Sequence, residues 1–284
     1  MGKTLSIVMP YWNFFIIIHA MTKISISLAQ MHIELAQPDA NLETAIGFVK
    51  QASAGHSDLI LFPELWSSGY DLKHAGKYVP VNASVLEVLS GLAVSEKIAI
   101  GGSLLEEVAG QFYNTFYLIG IDGQLLAKYS KIHLFRLKNE DRWLQGGSQS
   151  QMASFPWGAA GMAICYDLRF PELFRHYALQ NAKLICLPSE WPSVRIQHWK
   201  VLLQARAIEN QMFVAAVNNV GQTGSETFGG ASAIISPWGD VLAEGNGQDE
   251  SLLSAEVDFD EVARIRQTIP VFQDRRPDLY QLSG

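Results

Sequence analysis

From Lys23 onward, short apolar runs alternate with segments of helical periodicity, and a chain so patterned must build strand–helix–strand units. Ile24, Ile26 and Leu28 alternate with polar residues, as a strand facing a core does. The spacing then predicts a helix with Leu42, Ala45, Ile46 and Val49 on one face, Asp39 or Asn41 as its cap and Gly55 as its end. A strand leads into Glu64, a helix spans 82–97 and a strand spans 98–105. A hairpin of 112–120 and 124–129 turns at Asp122-Gly123. The alternation repeats in the second half: helix to 181, strand 183–188, a helix from a Ser193 cap through Asn210, and strand 212–218. A hairpin around Pro237-Trp-Gly-Asp240, a strand at 252–257, a short helix at 260–267 and a polar, Arg-rich tail complete the chain. No low-complexity linker divides it, so the expectation is an α/β protein with two sheets covered by helices.

Three of the apolar runs deliver a chemically active residue to a strand end. In Gly161-Met-Ala-Ile-Cys-Tyr-Asp-Leu-Arg-Phe-Pro-Glu172, a buried strand stops at Cys165 and Pro171 is placed at the first position of a helix. Glu172 suits the first turn of that helix, and amides near Cys165 can stabilise an anion. Alone, such a cysteine reads equally as a small buried hydrophobe. Leu59-Ile-Leu-Phe-Pro-Glu64 and Lys128-Tyr-Ser-Lys131 bring a carboxylate and an ammonium to two further strand ends. Singly these read as a helix-start acid and a solvated charge; together with the thiol they form a nucleophilic site.

These segments, in this order, resemble the nitrilase (carbon–nitrogen hydrolase) superfamily, whose catalytic triad is Glu-Lys-Cys; the resemblance runs from about Thr22 to Leu282. It implies a four-layer α-β-β-α sandwich, a single domain over 22–284 and a homodimer. It assigns Cys165 as nucleophile, Glu64 as general acid–base, and Lys131 with the Tyr166 backbone N–H as oxyanion donors. Lys131 and the turn after Cys165 would then favour the thiolate. A second glutamate is usual in the loop after the lysine; Glu140 is the matching position and Asp141 its competitor. Tyr166-Asp167 after the cysteine, where nitrile hydrolases more often carry Trp-Glu, favours amides over nitriles.

The substrate clue is Glu190-Trp-Pro-Ser-Val-Arg-Ile-Gln-His-Trp199, which resembles the bacterial omega-amidase branch. That branch releases ammonia from the amide of a small 2-oxo acid such as 2-oxoglutaramate or 2-oxosuccinamate. Arg195 either pairs with a substrate carboxylate or caps its own helix, and Trp191 is either a pocket wall or core. The alternatives are a deaminated-glutathione amidase, an N-carbamoyl amide hydrolase, or a non-catalytic module on the same fold.

Composition narrows the remaining classes. The 284 residues are 48% hydrophobic, enough for a large core, and the net charge is −7, from 21 basic and 28 acidic residues. Without a Lys/Arg-rich run, nucleic acid is not an expected partner. Neither a cofactor nor a metal is expected: His133 and His198 stand apart from any ligand spacing, the first reading as a packed loop histidine and the second as a residue of the site rim. The two cysteines make no disulfide framework, Cys186 lying in an apolar strand, which fits a reducing, cytoplasmic location. Residues 1–21 read as an N-terminal extension, with Met21 the preferred start. Its apolar part is broken by Pro10, Asn13 and His19, lacks a cleavage pattern and falls short of an uninterrupted membrane span.

Overall fold

The computed structural model describes residues 22–280; the N-terminal extension and the start at Met21 lie outside the described residues. The first half runs β1 (Lys23–Gln30), α1 (Pro38–Ala54), β2 (Leu59–Leu61), α2 (Ala75–Glu96), β3 (Ala99–Val108), β4 (Gln111–Ile119) and β5 (Leu125–Ser130). A short α3 (Glu140–Trp143) bridges to β6 (Met152–Phe155), β7 (Gly158–Met162), α4 (Pro171–Leu179), β8 (Ala182–Ser189), α5 (Ile196–Asn210) and β9 (Phe213–Asn218). The remainder is β10 (Val220–Thr223), β11 (Glu226–Gly229), β12 (Ala233–Ile235), β13 (Val241–Glu244), β14 (Ser251–Asp258) and α6 (Asp260–Thr268).

Two six-stranded sheets result, ordered β14-β1-β2-β3-β4-β5 and β13-β12-β9-β8-β7-β6, with β10 and β11 as a separate hairpin. Each sheet has a parallel centre, β1-β2-β3 and β7-β8-β9, bordered by antiparallel strands. One apolar cluster joins the inner faces: Ile24, Ile26 and Leu28 of β1 and Phe116 and Leu118 of β4 meet Ala160 and Met162 of β7 and Leu184 of β8. Leu173, Phe174 and Tyr177 of α4 and Trp199 and Leu203 of α5 extend it over the second sheet. A second cluster seats Ala45 and Val49 of α1 and Val85, Leu89 and Ala93 of α2 on the first sheet. The order is therefore helix, sheet, sheet, helix, the four-layer α-β-β-α sandwich.

Several local expectations are corrected. Neither Asp39 nor Asn41 caps α1; Pro38 opens it, and buried Asn41 instead pairs with the backbone of Glu34 and Ser67. The second helix begins at Ala75 rather than at 82, with Pro80 inside it. Segment Leu72–Glu96 is long and apolar enough to cross a membrane by length and composition, yet Val85, Leu89 and Ala93 are buried against the first sheet. Ser193 does not cap α5; it starts the 3-10 turn Ser193–Arg195 that precedes it. Strands β6, β10 and β11 were not predicted: each has only four residues, in sequences without a long apolar run.

Candidate active site

Parallel strands point their carboxyl ends the same way, so the loops that follow them converge. Glu64 stands three residues past β2, Lys131 directly after β5, Cys165 three residues past β7 and Glu190 directly after β8. The backbone sets each of them. The Glu64 N–H donates to the Ser189 carbonyl across the two sheets, and the Lys131 N–H donates to Asn114 O on β4. Gly147 N–H caps Lys131 O at 2.8 Å. A Cβ at Gly147 would stand 2.1 Å from the Ser130 carbonyl oxygen, so only glycine allows this approach.

The structure brings Glu64, Lys131, Cys165 and Glu140 into one buried cluster. The Lys131 ammonium donates to Glu64 Oε1 at 2.7 Å and to Glu140 Oε1 at 2.8 Å, all three groups being shut off from solvent. Glu64 Oε1 also accepts from Asn114 Nδ2 at 2.8 Å, and its Oε2 accepts the Glu190 backbone N–H at 3.0 Å. Glu140 accepts from the Tyr70 hydroxyl at 2.7 Å and from the Phe135 N–H at 2.9 Å. Every carboxylate oxygen thus has a donor, as buried carboxylates require. Asp141, the competitor for the Glu140 position, is exposed.

Cys165 opens a 3-10 turn, Cys165–Arg169, with a left-handed φ of 43°. A non-glycine residue pays strain there, a state found where surrounding structure holds a functional residue in place. The hold is visible. Asp167, fully buried, accepts from Ile164 N–H, the Tyr129 hydroxyl and the His133 N–H, and pairs with the His133 ring. His133 also stacks on Phe170, at 3.7 Å between ring centroids, so it is the packed loop histidine the sequence suggested. The first hydrogen bond of the turn is Asp167 N–H to Ile164 O; the Cys165 and Tyr166 amides precede it and have no acceptor within the turn.

Electrostatics correct one expectation. Burial pushes the Cys165 thiol well above its ordinary value; Glu64 pushes it further, and Lys131 pulls it back only in part. The resting group is the thiol, not the thiolate. Lys131 already divides its charge between two carboxylates, and five residues separate Cys165 from the start of α4, so the dipole of that helix is not at the sulfur. For Glu64, burial alone would raise the carboxyl, but the charge and hydrogen bond of Lys131 outweigh it and hold it below its usual value. Lys131 is likewise held protonated: burial works against the charge, and Glu140 and Glu64 overcome it. The cluster therefore sets a thiol held above its ordinary value beside a carboxyl held below its own.

A narrow cleft opens over Cys165, walled by Tyr70, Phe135 and Tyr166 on one side and Glu190, Trp191 and Pro192 on the other. Lys138, Arg169 and Arg195 bring three cations to it. Arg195 lies over the Phe135 ring at 5.5 Å, and Arg169 over the Trp191 ring at 4.8 Å. Trp191 serves both readings: it lines the cleft, and it is buried against Trp199 with its Nε1–H donated to Arg195 O. Asn218 of β9 clamps this segment through the Trp191 N–H and carbonyl. His198 reaches the rim through Arg169, at 3.3 Å. Tyr70, Asn114 and Asn218 were not singled out from the sequence. Asn114 had one signal, an amide among the aromatic residues of Phe112-Tyr-Asn-Thr-Phe-Tyr117, which a buried acceptor would explain.

Comparison with known proteins places the chain in a family. The family model described as carbon-nitrogen hydrolase matches residues 25–267. The chain is 40% identical over 260 residues to the 2-oxoglutaramate amidase of Bacillus subtilis (strain 168), covering 91% of this chain and 100% of that protein. It is 35% identical over 271 residues to the omega-amidase NIT2 of Homo sapiens, covering 92% and 98%. Its fold matches a mutant amidase from Nesterenkonia sp. AN1 with a TM-score of 0.81 at 27% identity, covering 90% and 95%. That structure shows the acetamide moiety of fluoroacetamide added covalently at its active-site cysteine. This chain belongs to the carbon–nitrogen hydrolase family and is a hydrolase acting on carbon–nitrogen bonds.

Proposed function

We propose that the protein is an omega-amidase: it hydrolyses the terminal amide of a small 2-oxo acid, of the 2-oxoglutaramate type, to a carboxylate and ammonia. The observation that carries this reading is the gathering of Lys138, Arg169 and Arg195 around a cysteine cleft in a protein of net charge −7. Such a rim selects an anionic substrate, and Arg195 offers a planar fork matched to a carboxylate.

In the proposed mechanism Glu64 takes the Cys165 proton as sulfur attacks the amide carbon. The carbonyl oxygen becomes an oxyanion facing the Lys131 ammonium and the Tyr166 N–H. Collapse breaks the C–N bond, and Glu64 returns its proton to the departing ammonia, leaving a thioester. Water then attacks the thioester with Glu64 again as base, and the acid leaves as the thiol re-forms. Glu140 and Tyr70 act through Lys131, fixing its position and charge.

The test is ammonia release from 2-oxoglutaramate beside glutamine, an aliphatic nitrile, deaminated glutathione and an N-carbamoyl amide. The 2-oxo amide is expected to be turned over best, and Cys165→Ala to abolish release. Arg195→Ala is expected to raise KM by roughly 10- to 100-fold, the loss of one charged hydrogen bond. Turnover of another amide in preference would discard the substrate and keep the chemistry.

For assembly we propose a homodimer paired through the outer face of α5, where Val201 and Ile208, seven residues apart, remain exposed. Light scattering is expected to give twice the mass of the 31.4 kDa chain. A monomeric mass at micromolar concentration would exclude it.

A further inference from the structure

The proposed chemistry leaves Glu190 without a task. Its backbone N–H holds Glu64, yet its side chain, 2% exposed, has no partner for either carboxyl oxygen among the described residues. Glu190 lines the cleft over Cys165 and also a second cleft beneath the β10–β11 hairpin. Tyr70 and Lys138 line both as well, so these three residues mark where the two clefts meet.

The groups facing Glu190 come from every side. Lys138 approaches from the turn Arg136–Lys138, Glu226 from β11, Glu64 and Tyr70 from the loop after β2, and Lys131 from the end of β5. None is free to neutralise a carboxylate there. Lys131 is committed to Glu64 and Glu140, while Lys138 pairs with Glu226 and lies over the Tyr70 and Phe228 rings at 4.4 and 4.9 Å. A buried carboxyl without a cation of its own takes up a proton instead. Burial, reinforced by Glu64 and Glu226 and opposed by Lys138, pushes Glu190 well above the usual carboxylate range. A neutral carboxyl differs from a carboxylate in one respect that matters here: it has an O–H to donate.

We propose that Glu190 is a substrate-binding residue that meets the carboxylate of an anionic amide as a protonated carboxyl, donating its O–H while the Arg195 guanidinium of the same cleft supplies the charge. Glu190 then completes recognition of the anion at the junction of the two clefts, and an ionised Glu190 would repel the same ligand. The inference rests on the cleft being a site for anionic amides.

Affinity labelling of Cys165 separates the two ideas. Bromopyruvate and bromoacetone carry the same bromoketone, and each forms a thioether with loss of bromide; only bromopyruvate carries a carboxylate. The ratio of their rates on the full chain, divided by the same ratio on free cysteine, cancels the ionisation of the thiol. That normalised ratio is expected to exceed one in the wild type. It should be unchanged in Glu190→Gln, whose amide also donates without charge, and to fall roughly tenfold in Glu190→Ala, the loss of one hydrogen bond to a charged group. A rise in the ratio for Glu190→Gln would show that Glu190 is ionised and would overturn the assignment. So would an unchanged ratio for Glu190→Ala. A wild-type ratio of one or below would instead overturn the anionic-site reading itself. In turnover of 2-oxoglutaramate, Glu190→Ala is expected to raise KM about tenfold with kcat within about threefold. A loss confined to kcat would assign Glu190 to the support of Glu64 rather than to the substrate.

Discussion

Replacing Glu64 with glutamine is expected to lower kcat by about a thousandfold and to change the shape of the pH–rate profile. The magnitude follows from losing a positioned base, worth about 10²–10⁴-fold. The change of shape follows from the resting ionisation. Cys165 is a thiol whose pKa lies above its ordinary value, so few molecules carry a thiolate at neutral pH unless a neighbour takes the proton. Glu64 is ionised, and Lys131 holds it so to a lower pH than an ordinary carboxylate. Wild-type kcat should therefore stay level as pH falls through the usual carboxylate range and drop only below it. In Glu64→Gln the rate should rise with pH toward the alkaline side, tracking direct ionisation of the thiol. A mutant profile parallel to that of the wild type would show that Glu64 is not the base. Glutamine keeps the acceptor for Asn114 Nδ2 and for Lys131 and gives up one bond, from the Glu190 N–H to Oε2, so a collapse of the site is not the expected cause.

How much of this was legible in the sequence depends on the distance over which each residue acts. That Glu64, Lys131 and Cys165 each follow a strand was visible because a strand terminus is a local signal: Leu59–Leu61 before Glu64, Leu125–Ser130 before Lys131 and Gly158–Met162 before Cys165. The two-sheet architecture was visible for the same reason. The four-layer order and the Glu140 position came with the family resemblance, and the structure gives Glu140 the physical reason for its place, a second carboxylate on Lys131.

What was not legible is set by long-range contacts. The partners of Glu64 come from residues 50 and 126 positions away, Asn114 and Glu190, and no periodicity encodes those bonds. The ionisation of Cys165 was misjudged because it depends on how many carboxylates share Lys131 and on how deeply all of them lie. Caps failed at α1 and α5 because tertiary contacts took the capping side chain or the helix start: Asn41 went to Glu34 and Ser67, and Ser193 went into a 3-10 turn held against β11 through the Pro192–Phe228 bridge. The β10–β11 hairpin has little apolar sequence of its own; it is placed by that bridge and by the Thr223 hydroxyl donated to Ile33 O.

Replacing Lys131 with methionine is expected to cost both activity and stability, and the stability loss should depend on pH with a defined sign. In the wild type, Glu64 is held below its ordinary value, so its contribution is present above about pH 4.5 and is lost as pH falls through its lower folded value. Lys131 is held above its ordinary 10.5, so its contribution is complete below that pH and is lost as pH rises from there through its raised folded value. Wild-type stability from this cluster should thus be nearly level between pH 5 and pH 9. Methionine fills much the same space but leaves Glu64 and Glu140, both fully buried, facing each other without a cation. One of them must then bind a proton, its folded pKa rising above the unfolded one. The mutant's deficit should therefore grow as pH rises above about 4.5, reaching about 3–5 kcal/mol near neutrality, the usual penalty for breaking a buried ion pair. At about 2–4 °C per kcal/mol for a chain approaching this size, Tm should fall by roughly 6–20 °C at pH 8 and by markedly less at pH 5. Turnover should drop by at least about 10²–10³-fold, since the oxyanion loses one of its two donors. Thermal unfolding at the two pH values decides the matter: a deficit of equal size at both would mean that the methionine disturbs packing alone, and that the two carboxylates never needed the charge between them.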